Sequence, residues 1–305
     1  MKILFINHTQ KQCGVYQYGK RVSDILISDN RYDFNYLETD NYKNFIDKVN
    51  EISPDIIIYN WHSLTLGWLT TEITNSFNDV KQLYIFHEYV FPSFFKHDGF
   101  IMSDLSEDEN NKKYSLPRPI FEKSLIKVKN DIIKIGSFGF GFENKGFEKI
   151  CHIVNSQFDE AIIHLHITNA FFGDRDSITS NRVIERCKNI ITKEKINLII
   201  TNNFMSNDEI LEFLNSNTVN MFLYDNMSER GLSSTIDYAI SVDTPLIINN
   251  SNMFRHILSD SPEISIENNT INNIINLGIK PITHFREKWS NDNMRNKFYN
   301  IIQKI

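Results

Sequence analysis

The residues best suited to chemistry form one continuous stretch, Glu229-Arg230-Gly231-Leu232-Ser233-Ser234-Thr235-Ile236-Asp237. An acid comes first, then a glycine turn, then a helical pattern whose first turns carry a second acid. The apolar run 219–224 leads into the stretch, and the run 244–248 (Thr-Pro-Leu-Ile-Ile) follows it. A strand, a glycine turn and a helix start leave backbone N–H groups without intrahelical partners, which suits them to phosphate. The carboxylates of Glu229 and Asp237 can accept hydrogen bonds from hydroxyls. A ligand carrying phosphate and many hydroxyls together is a nucleotide sugar.

A second constellation is Ile135-Gly136-Ser137-Phe138-Gly139-Phe140-Gly141-Phe142-Glu143-Asn144-Lys145-Gly146. Its glycines follow one apolar run and precede a helical pattern, so the backbone there can approach a ligand closely. Lys145, near the helix start, can pair with a diphosphate. The spacing is neither the dinucleotide GxGxxG nor a phosphate-binding GKS/T loop. Taken alone it also fits a structural turn.

Other polar residues divide between a bland and a functional reading. His87, at a strand end, is either a ligand contact or a structural polar residue, whereas His62 reads as structural. His164 and His166 alternate on one strand face and read as packing, since no third metal ligand accompanies them. Asp174-Arg175-Asp176 has the letters of a metal-binding pair but falls in a mid-domain loop, and a solvated loop is favoured. Phe138, Phe140 and Phe142 read as core or cleft lining rather than a platform for bases. No metal site is expected.

The elements that must hold these residues alternate between short apolar runs and helical patterns, which favours α/β layering around parallel sheets. Strands are expected at 2–7, 33–38, 55–60, 82–87 and 99–103, with helices at 15–28, 42–52 and 64–75. After a polar, proline-containing break at 115–130, a second series runs through strands at 132–138, 161–168, 197–201, 219–224 and 244–248. Its helices start at 146 and cover 180–192 and 207–215, and helical patterns close the chain at 284–305. The simplest architecture is two doubly wound, Rossmann-like domains facing across a cleft. They would span residues 1–122 and 123–280, with a helical tail at 281–305 packing back toward the first.

A chain of 305 residues exceeds one usual hydrophobic core, in keeping with two domains. A formal net charge of −6 gives no electrostatic footprint for duplex nucleic acid or an anionic membrane. Cys13, Cys151 and Cys187 are sparse and show no CxxC spacing, which points to reduced thiols in a cytoplasmic protein. No apolar run reaches the ~18 to 20 residues needed to cross a bilayer.

Together the two constellations and the two-domain layout resemble the retaining GT-B glycosyltransferases, in particular glycosyltransferase family 4. That family places two acids with seven residues between them in the C-terminal domain; here Glu229 and Asp237 keep the spacing, with Asp where the family has Glu. Lys145-Gly146 matches its Lys-Gly pair, Cys13-Gly14-Val15-Tyr16 its N-terminal glycine loop, and His87-Glu88 with Pro92 its histidine motif. The matches run from about residue 3 to about residue 260.

The resemblance implies glycosyl transfer from a nucleoside-diphosphate sugar to a glycan or other hydroxyl-bearing acceptor, with retention and without a metal or cofactor. Lys145 would neutralise the diphosphate, Gly14 and Gly139 would give it room, and N–H groups at Leu232 and Ser233 after Gly231 would bind it. Glu229 would hold the donor sugar, Asp237 the ribose, and His87 would face the reaction centre. The family's arginine ahead of the lysine is replaced here by Gly139 or its neighbours, and Arg230 could stand in for it. Two alternatives stay open, the first because of these departures and the second because it shares the architecture. One is a catalytically silent nucleotide-sugar-binding or scaffold protein, the other a different GT-B enzyme such as a sugar-nucleotide epimerase.

Overall fold

The computed structural model describes residues 1–87, 96–105, 112–227 and 231–305. The chain divides into two compact units, one of residues 1–120, 229–232 and 288–305, the other of residues 121–228 and 233–287.

In the first unit the strands are β1 (Lys2–Asn7), β2 (Asp33–Glu38), β3 (Ile56–Trp61), β4 (Lys81–Phe86), β5 (Gly99–Met102) and β6 (Lys113–Ser115). They form one parallel sheet in the order β2-β1-β3-β4-β5-β6. The helices of this unit are α1 (Gly14–Leu26), α2 (Tyr42–Ile52) and α3 (Thr71–Asn75). Strands β1 and β3 are largely apolar, in keeping with cover on both faces. Ile3 and Phe5, with Ile56 and Ile58, join Val22 and Leu26 of α1 in one core. The alternate residues Leu4, Ile6, Ile57 and Tyr59 meet Phe45 and Val49 of α2 on the other face. A side-chain period of two therefore builds two cores from one sheet.

The second unit pairs β7 (Lys134–Phe140), β8 (Ala161–Thr168), β9 (Ile196–Thr201), β10 (Val219–Phe222) and β11 (Leu246–Ile248) in the parallel order β11-β10-β7-β8-β9. Its helices include α4 (Phe147–Gln157), α5 (Ile178–Ile190), α6 (Asn207–Asn215), α7 (Thr235–Ile240), α8 (Arg255–Leu258) and α9 (Ile271–Leu277). Ser206 and Glu209 close a reciprocal capping box at the start of α6. The chain ends in α10 (Thr283–Lys288) and α11 (Asn291–Ile302), and Met294, Phe298 and Ile301 of α11 complete the core that holds α1.

The expected helix at 64–75 shrinks to the five residues of α3. Ahead of it, the His62 ring Nδ1 accepts from Leu64 N–H and the His62 carbonyl accepts from Thr65, so residues 62–66 form turns. Strand β6 was not expected. It is three residues long, too short for any period to register.

Candidate functional site

In the second unit, β7 has β8 on one side and β10 on the other, so the connections after β7 and β10 leave the sheet in opposite senses. Open α/β sheets bind ligands outside the carboxyl ends of the strands at such a reversal. Lys145 stands here, in a single helical turn (Glu143–Lys145) closed by Gly146 at φ 70°. Its ammonium lies 4.1 Å from the centre of the Tyr224 ring, just past β10. The acids nearest in sequence, Glu143 and Glu148, are engaged with Arg186 at 2.9 and 3.4 Å, and Asp225, which follows Tyr224, with Lys149 at 2.5 Å. Lys145 makes no ion pair among the described residues. The Tyr224 hydroxyl is 3.2 Å from Thr235 Oγ1, which is 2.8 Å from Ser233 Oγ. One cation and a chain of three hydroxyls thus gather beside the reversal point.

The glycines divide by cause. Gly139 takes φ 153° and Gly146 φ 70°, conformations that a residue with a Cβ rarely adopts. Gly136 and Gly141 are needed for packing, because a Cβ would run into Asn217 and Ser180. Close approach of a ligand, expected for all three glycines of the 136–141 run, is not what requires those two.

Three expectations for the Glu229–Asp237 stretch change. The Ser233 N–H donates to the Met253 carbonyl at 3.2 Å and is not open to a diphosphate, and its hydroxyl is paired with Thr235 Oγ1. Asp237 is fully buried in α7, where residues 236–240 all face inward, so it offers no exposed carboxylate to a ribose. Gly231 and Leu232 fall in the first unit, and a Cβ at Gly231 would overlap the His87 carbonyl. Glu229 and Arg230, like Glu88 and Pro92, lie outside the described residues.

The first unit has its own reversal between β1 and β3, and a buried amide chain lies there. Asn7 Nδ2 donates to the Tyr16 carbonyl and the Tyr36 hydroxyl, while its Oδ1 accepts from His8 N–H and from Asn60 Nδ2. Asn60 Nδ2 also donates to the Val15 carbonyl at 2.8 Å. A carbonyl can only accept, so both amides are oriented and Asn60 Oδ1 must face His87 Nε2, 2.7 Å away, as acceptor. The proton of His87 is therefore on Nε2, and Nδ1 carries the lone pair. Tyr18 meets the same ring edge-on at 5.0 Å, with the buried Arg118 guanidinium 4.8 Å from the Tyr18 ring. Gly14 opens α1 beside this chain, and a Cβ there would meet nothing within 4 Å.

Sequence reasoning passed over Asn7, Asn60, Tyr18 and Arg118. A signal existed for the first two: an asparagine at or next to the end of each of two largely apolar strands must find partners once buried. Elsewhere, His164 packs on Phe213 at 4.4 Å and His166 bonds Thr201, as a packing role requires. Asp174 is no solvated loop acid. It is buried, and its carboxylate accepts from the Thr179 and Ser180 N–H groups at the start of α5.

Burial lowers the His8 ring to about 4, with His62 adding to the effect and Glu38 opposing it. Burial, then the charges of His62, Arg118 and His8, hold His87 well below its ordinary value. Both rings are neutral at pH 7. The unfolded chain binds their protons near pH 6.5, so their contribution is complete above that pH and is lost as pH falls from 6.5 toward 4. The slope is about 1.4 kcal/mol per pH unit for each group. Urea midpoints should fall through this window, and less steeply in His8→Gln. Equal slopes in the two proteins would refute the assignment.

The parallel α/β architecture of the two units is that of the GT-B fold. Solved structures similar to the chain bear this out. HepE of Anabaena, in complex with UDP and glucose, aligns over 100% of both chains with TM-score 0.66 and 11% identity. A glycosyltransferase from Rickettsia africae aligns over 99% of this chain and 93% of its own, with TM-score 0.62 and 13% identity. S. aureus TarM, in complex with fondaparinux, α-GlcNAc-glycerol and UDP, matches over 81% of this chain with TM-score 0.57 and 12% identity. The chain spans 55% of the length of TarM. No protein-family model matches the sequence, and no curated protein matches it. Among the described residues no helix is long and apolar enough to cross a membrane.

Proposed function

We propose that the chain is a glycosyltransferase. It takes a nucleoside-diphosphate sugar and passes the glycosyl group to a hydroxyl of a glycan or other acceptor, with retention at the anomeric carbon and without a metal ion. The observation that carries this reading is Lys145, a half-buried ammonium with no acidic partner among the described residues, poised over Tyr224 at the strand reversal beside three hydroxyls. Complexes of similar folds with UDP and sugars agree with it.

In this reaction the bond between the anomeric carbon and the diphosphate oxygen breaks, and the acceptor oxygen bonds to that carbon as its proton leaves. Charge builds on the departing diphosphate, so a fixed cation serves better than a strong acid. Lys145 meets that charge, and the Ser233, Thr235 and Tyr224 hydroxyls donate to phosphate or sugar oxygens. Glu229, on its spacing alone, is assigned to the sugar hydroxyls and Arg230 to the second cation. His87, neutral and with its Nδ1 lone pair set by Asn60, is assigned to a substrate hydroxyl.

A thermal-shift screen of ADP, CDP, GDP, UDP and their sugar conjugates tests the proposal. A ligand at ~100 times its Kd should add about 2.7 kcal/mol of stability. A shift for one nucleotide and its sugar conjugates is expected. The absence of any shift would remove the donor assignment.

A further inference from the structure

The ladder between β10 and β11 ends at the pair Phe222 and Ile248. Beyond it the two chains remain joined, but by side chains. Asn249 Nδ2 donates to the Tyr224 carbonyl at 2.8 Å, and the Ser251 hydroxyl donates to the Asp225 carbonyl at 3.1 Å. Asn252 N–H donates to Asn226 Oδ1 at 2.8 Å. The Asn252 carboxamide then grips Met227 twice: its Oδ1 accepts the Met227 N–H at 3.0 Å, and its Nδ2 donates to the Met227 carbonyl at 2.8 Å. The next residue, Met253, accepts the Ser233 N–H on its carbonyl at 3.2 Å. Two neighbouring residues, 252 and 253, therefore hold Met227 and Ser233, on either side of residues 228–232.

A carboxamide offers one donor and one acceptor side by side, as a peptide unit of a neighbouring strand does. Asn252 thus continues the sheet pairing where the backbone has turned away. Ser233, anchored through Met253, starts the hydroxyl chain through Thr235 to Tyr224, whose carbonyl Asn249 holds. We propose that Asn252 is a positioning residue for the donor, acting directly on Met227 and, by fixing the adjoining Met253 carbonyl, on Ser233 and the hydroxyl chain that ends at Tyr224, beneath Lys145. The inference rests on the donor reading given above. The side chain that fixes the donor groups would then come from the turn after β11, not from the segment that carries those groups.

Asn252→Ala removes both bonds to Met227. Asn252→Asp keeps the acceptor for Met227 N–H but sets an oxygen against the Met227 carbonyl. Asn252 is only half-buried, so both variants should fold. With the nucleoside diphosphate that shifts the wild type most, Asn252→Ala should raise Kd and donor KM about tenfold. The acceptor KM and the unliganded Tm should stay within about twofold and a few degrees. Asn252→Asp should weaken binding about as much, since the lost donor is replaced by a repulsive contact. Amide exchange at Met227 should quicken in Asn252→Ala, which removes its acceptor, while that of β10 does not.

Equal donor affinity in wild type and variants would overturn the positioning role and leave the donor site standing. If the wild type binds no nucleoside diphosphate, the donor site and the positioning role fall together. Should Asn252→Ala fail to fold, the aspartate variant carries the comparison alone, and unchanged affinity there overturns the proposal.

Discussion

Replacing Lys145 by alanine is expected to lower glycosyl transfer by about 10²- to 10³-fold, the range seen when one preorganised electrostatic contact to a developing charge is removed. The reason is position. The ammonium is held over the Tyr224 ring, while Glu143 and Glu148 on either side of it in sequence are bound to Arg186, and Asp225 beside Tyr224 to Lys149. A cation already neutralised by a carboxylate would have little to offer a diphosphate. One that rests on an aromatic face keeps its charge for a ligand at a cost of about 1 kcal/mol in native contacts. Stability of the free protein should therefore hardly change, while the thermal shift with the nucleoside diphosphate disappears. Lysine to arginine should recover part of the activity, since the charge returns with a different donor geometry. Turnover within about threefold of wild type in Lys145→Ala would remove the lysine from the reaction.

Gly146→Ala carries the second large effect, and it is on folding. Gly146 sits at φ 70°, where an L side chain costs about 1 to 2 kcal/mol. The added methyl would also overlap the Leu223 carbonyl, a backbone atom that cannot rotate aside. Forcing such an overlap typically costs another 1 to 3 kcal/mol. A loss of about 2 to 5 kcal/mol in urea unfolding is expected. Because Gly146 closes the turn that presents Lys145, donor binding should weaken even where the variant stays folded. A loss below about 1 kcal/mol would mean that the turn relaxes freely, and that the glycine is not what sets the lysine.

Much of the fold was legible in the chain because its period is written locally. Strands β1 to β4 read as apolar runs, and the residues of those runs alternate between two cores in the structure. Lys145 was legible for a similar reason: a glycine turn between strand and helix places a cation at a helix start whatever the distant sequence does. The candidate roles of Ser233 and Asp237 were not legible in this way. One depends on a hydrogen bond to Met253, the other on which face of the short α7 turns inward. Neither fact has a local signature.

The hydrogen-bond partnerships that the sequence does not show make the same point. Asn7, Asn60 and His87 are far apart in sequence and meet because parallel pairing sets β1 beside β3 and β3 beside β4. Only that pairing decides the proton position on His87. Asn252 and Met227 meet because β10 and β11 run side by side to their ends. The sequence by itself determined the layered α/β class, the strand ends where loops emerge, and the glycine turn that carries Lys145. Each rests on a repeat or a turn a few residues long. The tertiary structure alone decided which polar groups are paired, which are enclosed and which stay open to a ligand, because burial and hydrogen-bond partnership are settled by neighbours distant along the chain.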